Sequence, residues 1–141
     1  MKSYLLKNGF GIDNLAMEEV PQPTPDVGQA LIKMRAWSLN YRDLLVVRGI
    51  YKPKLQFPFQ MISDGVGEVV AVGSGVTRVK LGDRVAGAFM QKWLEGGASD
   101  EKSASALGGD IPGLAAEYVV LDAQGLVHIP PTLTDEEGAT L

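Results

Sequence analysis

The sequence predicts a mostly β domain, and three observations carry that expectation. Apolar residues fall in short alternating segments, as where Leu31, Lys33, Arg35 and Trp37 interleave with Ile32, Met34, Ala36 and Ser38. The 17 Gly and 8 Pro are spread along the chain, as turns between short strands require, instead of forming one linker. Helix-start signals stand at two places, Asn40 and Thr134, each followed by a short segment.

Tyr4-Leu5-Leu6 forms a first strand, and Leu15 to Val20 returns beside it. Pro21, Pro23 and Pro25 then break any ladder, because proline has no N–H to donate. Gln29 to Leu39 is the first long strand. Asn40 to Arg48 is a short helix: Asn40 suits the N-cap, Asp43 sits by the positive end of the dipole, and Gly49 stops it. Tyr51 to Met61, with Pro53 and Pro58, reads as an extended loop.

Gly65 to Gly73 is the second long strand. Its small face, Gly67, Val69 and Ala71, implies close approach to another backbone element. Gly73-Ser74-Gly75 and Leu81-Gly82-Asp83-Arg84 are turns, and Val85 to Met90 resumes a strand. Gln91 to Gly109 has no period and reads as a mobile surface excursion anchored by Trp93 and Leu94. Ala115 to Leu121 and Gly125 to Ile129 are strands, the second closed by Pro130-Pro131. Thr134-Asp135-Glu136-Glu137 is a capping box, and a helix of so few residues is not stable alone. The chain therefore divides into a domain over 1–133 and, over 134–141, the start of a helix leading to a further domain.

The 141 residues suffice for one domain with a sizeable core, and 45% hydrophobic with 21% charged residues fits a globular chain. A net charge of −4 lacks the footprint of a nucleic-acid binder. No apolar run approaches a membrane span, and Met1 to Asn8 turns polar too soon for a signal peptide. Without Cys there are no disulfides or thiolate metal sites, and the cytoplasm is the default compartment.

Five segments together carry a resemblance. They are Ala36 to Asp43, Ser63 to Gly73, Val79 to Val85, Ala116-Glu117-Tyr118-Val119, and Leu133 to Thr140. In this order and spacing they resemble the N-terminal, GroES-like catalytic domain of the medium-chain dehydrogenase/reductase superfamily. The resemblance implies an irregular β-barrel with short helices, continuing into a Rossmann domain that this chain does not contain. Gly65-Val66-Gly67-Glu68-Val69-Val70 only begins like a dinucleotide fingerprint, and it lies in a strand. NADPH or NADH would be bound mainly by the missing domain, with NADPH favoured.

Zinc-dependent relatives carry Cys at the position of Asn40 and His-Glu at those of Ser63-Asp64, with four structural cysteines in the Gln91 to Gly109 region. Amide and hydroxyl oxygens are poor zinc ligands beside thiolate and imidazole, so no zinc is expected at either place. The pattern is instead similar to quinone oxidoreductases and enoyl reductase domains, which implies zinc-independent reduction of a small enone or quinone. An alcohol or aldehyde oxidoreductase without zinc, or a non-enzymatic relative, is the alternative. The full-length protein is expected to be a homodimer with no membrane or nucleic-acid partner, and the fragment alone inactive.

By that resemblance the catalytic candidates are Asn40 and Tyr51, and the cofactor-contacting candidates are Asn40, Tyr41 and Arg42. Asn40 is also a helix cap, and Tyr51 is either a donor to the carbonyl or cofactor or a ring packed on its loop. Arg42, replacing a proton-relaying hydroxyl, reads as half of an ion pair with Asp43 or Asp64 ahead of any chemical role. Asp64 reads as an internal hydrogen-bonded carboxylate, Asp83 as a turn former, and His128 as structural or exposed. Trp93 anchors its loop or covers the substrate cleft.

Overall fold

Alternation at period two gives β3 (Gln29–Ser38) a buried face of Ala30, Ile32, Met34 and Ala36, and that face organises the domain. The computed structural model describes all residues, Met1–Leu141. The other elements are β1 (Lys2–Leu6), β2 (Leu15–Glu19), α1 (Tyr41–Val47), β4 (Phe59–Gln60), β5 (Asp64–Val72), β6 (Arg84–Gly87), α2 (Asp100–Ser103), β7 (Tyr118–Asp122), β8 (Leu126–His128) and α3 (Asp135–Gly138). One sheet has the order β2-β1-β4 and the other β7-β3-β5-β6-β8, with every neighbouring pair antiparallel.

The β3–β5 ladder runs from Ala30 opposite Val72 to Ser38 opposite Asp64, with register shifts after Leu31 and Met34. Such bulges bend and twist the pair, which curls the larger sheet. Gly67 permits the close approach expected of its face: a Cβ there would lie 2.5 Å from the Lys33 carbonyl oxygen. The curled sheet encloses a core that includes Ile32, Val69, Val85, Leu107 and Leu126. A second cluster, Leu6, Val46, Val47, Phe59 and Met61, seats α1 against the smaller sheet. Ala36, Val66, Ile129 and Ala139 fasten α3 to the larger one. No helix is long and apolar enough to cross a membrane.

Several expectations need correction. The Tyr51 to Met61 loop contains β4, which pairs with β1 through Leu6 and Phe59. The strand expected over Val85 to Met90 ends at Gly87, and that over Ala115 to Leu121 starts only at Tyr118. The largest difference is in Gln91 to Gly109: Lys92 to Ala104 does lie at the surface, but Gln91 and Ser105 to Gly109 are buried and tie the excursion into the core. Ser105, Ala106 and Leu107 are fully buried there, while the expected anchors Trp93 and Leu94 are 38% and 55% exposed. Leu107 stands between Ser-Ala-Ser-Ala and Gly-Gly, which makes no period, so the sequence does not show that it is swallowed by the sheet.

Candidate active site

α1 begins because Asn40 holds an extended N-cap conformation and donates its backbone N–H to Asp43 Oδ2 at 2.8 Å. It ends because Gly49 adopts φ +72°, where a Cβ would also strike Phe10 at 2.7 Å. The Asn40 side chain reaches across to β5. Its Nδ2 donates to Asp64 Oδ2 at 2.5 Å, and the buried Ser63 hydroxyl donates to the same oxygen at 2.6 Å. Asp64 is thus the internally hydrogen-bonded carboxylate that the sequence suggests.

Two clefts meet at Asn40. One, of about 500 Å³, is walled by apolar residues such as Leu39, Leu44, Val47 and Ile62, with Asn40 and Asp43 as its polar exceptions. The other, of about 100 Å³, is polar and lies between Ser38, Asn40 and Asp64 on one side and Ala139 to Leu141 on the other. Asp43 is buried with Oδ1 unpartnered. Desolvation pushes its carboxyl above the ordinary value, opposed by the Asn40 backbone N–H and the charge of Arg42.

Ile62, immediately before Ser63, has φ +71°, a left-handed conformation that a β-branched residue adopts only under constraint. Leu114 donates to its carbonyl at 2.8 Å, and Gly108 packs so closely that a Cβ would lie 2.8 Å from its carbonyl carbon. Strain held in this way clusters at functional sites. The sequence gives no sign of it, because Ile is an unlikely residue for that conformation.

The other face of α1 holds Arg42. Its guanidinium lies between the rings of Tyr51 and Phe89, 4.4 and 4.7 Å from their centroids, and Nη1 donates to the Leu107 carbonyl at 3.1 Å. The ion pair expected with Asp43 or Asp64 does not form. Adjacent helical residues do not face each other, and Asp64 already accepts from Asn40 and Ser63. Among the candidates, then, Tyr51 packs on Arg42, and Asn40 lines both clefts without it. Tyr41 is 73% exposed. Phe89, Leu107 and Gly109, which complete the Arg42 slot, carried no signal in the sequence.

Asp83 accepts from the backbone and Nζ of Lys80 and lies 3.0 Å from His128 Nε2, which holds its carboxyl well below the ordinary range in an exposed turn. Trp93 donates to the Gly96 carbonyl at 3.0 Å and does not line the clefts at Asn40.

The donors at Asn40, Ser63 and Asp64 do not fit a zinc ion. They offer one carboxylate, with one oxygen already accepting two hydrogen bonds, and no three His, Cys, Asp or Glu side chains converge anywhere in the chain. The small polar cleft is of a size for an amide edge such as that of a nicotinamide, with donors and acceptors on both walls. It does not have the volume for a dinucleotide.

Residues 26–131 match the family described as Alcohol dehydrogenase GroES-like domain. A zinc-type alcohol dehydrogenase-like protein of Schizosaccharomyces pombe is 44% identical over 133 residues, covering 93% of this chain and 38% of that protein. The chloroplastic quinone-oxidoreductase QR1 of Triphysaria versicolor is 35% identical over 135 residues, covering 94% of this chain and 36% of the relative. A crystal structure of a Sinorhizobium meliloti 1021 protein assigned as an alcohol dehydrogenase superposes with a TM-score of 0.89 at 37% identity, over 99% of this chain and 41% of that one. The chain thus spans about two fifths of the length of these relatives.

Proposed function

The chain belongs to the alcohol dehydrogenase GroES-like domain family, the N-terminal domain of medium-chain dehydrogenases/reductases, and from that premise we propose that the full-length protein reduces enones or quinones with a nicotinamide cofactor and without zinc. The observation that carries this reading is the closed hydrogen-bond set of Asn40, Ser63 and Asp64. Those side chains satisfy one another where zinc-dependent relatives place metal ligands. Without a Lewis acid nothing acidifies an alcohol, whereas hydride addition to a conjugated C=C relies on positioning and on a donor for the developing negative oxygen.

The reduced nicotinamide supplies the hydride when bound. Asn40, fixed by Asp64, holds the amide edge of the ring in the small polar cleft. The apolar walls beside it exclude water and seat the carbon frame of the substrate. The exposed Tyr41 contacts the cofactor from its outer side, whereas Tyr51, packed on Arg42 and lining neither cleft, is not placed to donate to a carbonyl held in them. NADPH is favoured over NADH from the family resemblance alone, and the full-length protein is read as a cytoplasmic homodimer.

The test is NADPH and NADH oxidation by the full-length protein. Turnover is expected with enones or quinones and not with the matching saturated ketones. Equal rates on saturated ketones, or alcohol oxidation as the faster reaction, would favour the zinc-free alcohol oxidoreductase. No turnover with any of them would leave the binding relative.

A further inference from the structure

We infer that the substrate is an enone or quinone bearing a long apolar chain, which runs from the cleft at Asn40 into a second apolar cleft beside it. The inference rests on the reading of the protein as a conjugated-carbonyl reductase. The second cleft, of about 430 Å³, is lined by Met17 of β2, Trp37 of β3 and Ala116. It shares Tyr4, Leu39, Ile62 and Ala115 with the cleft at Asn40, so the two lie side by side. Each has the volume of a small-molecule site, and a short enone confined to the first leaves the second unused.

The strands that build this strip depart from their own polar pattern to do so. Solvent-facing positions of β3 carry Lys33 and Arg35 and then change to Trp37, the one nearest Asn40 in sequence. In β2, Met17 precedes Glu18 and Glu19, stands opposite Tyr4 of β1 and is 52% exposed. Large apolar side chains grouped in this way mark a binding surface. Asn40 and Asp43 line only the first cleft, and Lys2 and Glu117 only the second. Glu117 accepts from the Lys2 backbone N–H at 2.8 Å, and Trp37 Nε1 donates to the Leu114 carbonyl at 2.6 Å. Neither is left calling for a polar group on the ligand. A molecule with its polar head at Asn40 and a methylene chain behind it matches this distribution.

Ile62 adds an independent observation. Its left-handed backbone sets the residue in the wall common to both clefts, where Gly108 and Leu114 hold it. Strain retained in this way accompanies ligand clamps and active sites. Leu39, the other aliphatic side chain of that wall, is 79% exposed and little packed. Such a side chain turns aside within picoseconds to nanoseconds, so no fixed barrier divides the clefts.

The experiment uses the full-length protein in two readouts. One is kcat/KM for vinyl ketones whose n-alkyl group lengthens from methyl to nonyl. The other is the thermal shift given by butanone and decanone, which have no C=C to reduce. In the wild type kcat/KM is expected to rise about two- to fourfold per methylene and to level off once the chain reaches Lys2 and Glu117. Decanone should raise Tm more than butanone at equal concentration. Met17→Gln should lose more rate as the chain lengthens, about tenfold for the nonyl ketone, and its decanone shift should shrink. A flat wild-type profile would overturn the inference and leave the strip as cover for another domain or a second copy. Equal losses in Met17→Gln at every length would overturn it as well. If no vinyl ketone is reduced but decanone stabilises the wild type more than Met17→Gln, the functional reading fails and the chain site stands. If vinyl ketones are reduced without regard to length, the chain site alone fails, and no reduction with no decanone shift sinks both.

Discussion

Asn40 serves two structures at once, because its backbone opens α1 while its side chain ties α1 to β5 through Asp64. Asn40→Ala therefore removes one hydrogen bond of modest worth, about 1 kcal/mol. If the same amide also positions the nicotinamide, activity of the full-length protein falls on the order of 100-fold, far beyond what that stability loss accounts for. Thermal melting and steady-state rates measured on the same preparation separate the two effects. Asp43 yields a pH dependence. Its folded carboxyl titrates above its unfolded value of 3.8, so from that pH upward the folded state holds more protons than the unfolded state. Its contribution to stability is accordingly largest at low pH and declines as pH rises through the raised folded value. Asp43→Asn removes this component, so the stability of the variant relative to wild type should rise with pH from about 4 upward. Denaturant melts across that range check the sign, and a difference that is flat or falls would contradict it.

At the scale of elements, what the sequence discloses depends on whether a signal is local. β3, β5 and α1 lie within a residue or two of their expected bounds, because alternation, the Asn40 cap and Gly49 are local instructions. The Gly67 face likewise announces the close β3–β5 approach. Gly67→Ala would drive a Cβ into the Lys33 carbonyl and Ile32, and it should cost about 2–3 kcal/mol, read as a shift in denaturant midpoint. The segment from Gln91 to Gly109 shows the opposite case. Leu107 is buried through contacts with Phe89 and the sheet, which no local window contains. The candidate site divides along the same line. Asn40 with Ser63 and Asp64 is legible as a pattern of residue types, whereas the Arg42 slot and the left-handed Ile62 arise only when distant segments meet.

For the whole molecule, the curled five-stranded sheet and the seated α1 place Asn40 where the large apolar cleft meets a small polar one at Ala139 to Leu141. This arrangement offers an edge for a nicotinamide and a wall for a carbon skeleton, and it fits a protein in which a second domain holds the remainder of the dinucleotide. The same geometry carries the central claim, that positioning replaces a metal at the reacting carbonyl. Two of the three side chains at the metal-ligand positions are neutral, and the third is already hydrogen-bonded to both. The most direct test is the zinc content of catalytically active full-length protein, measured by elemental mass spectrometry after purification with zinc present. The account expects far less than one equivalent per chain, while one tightly held equivalent whose removal abolishes activity would contradict it.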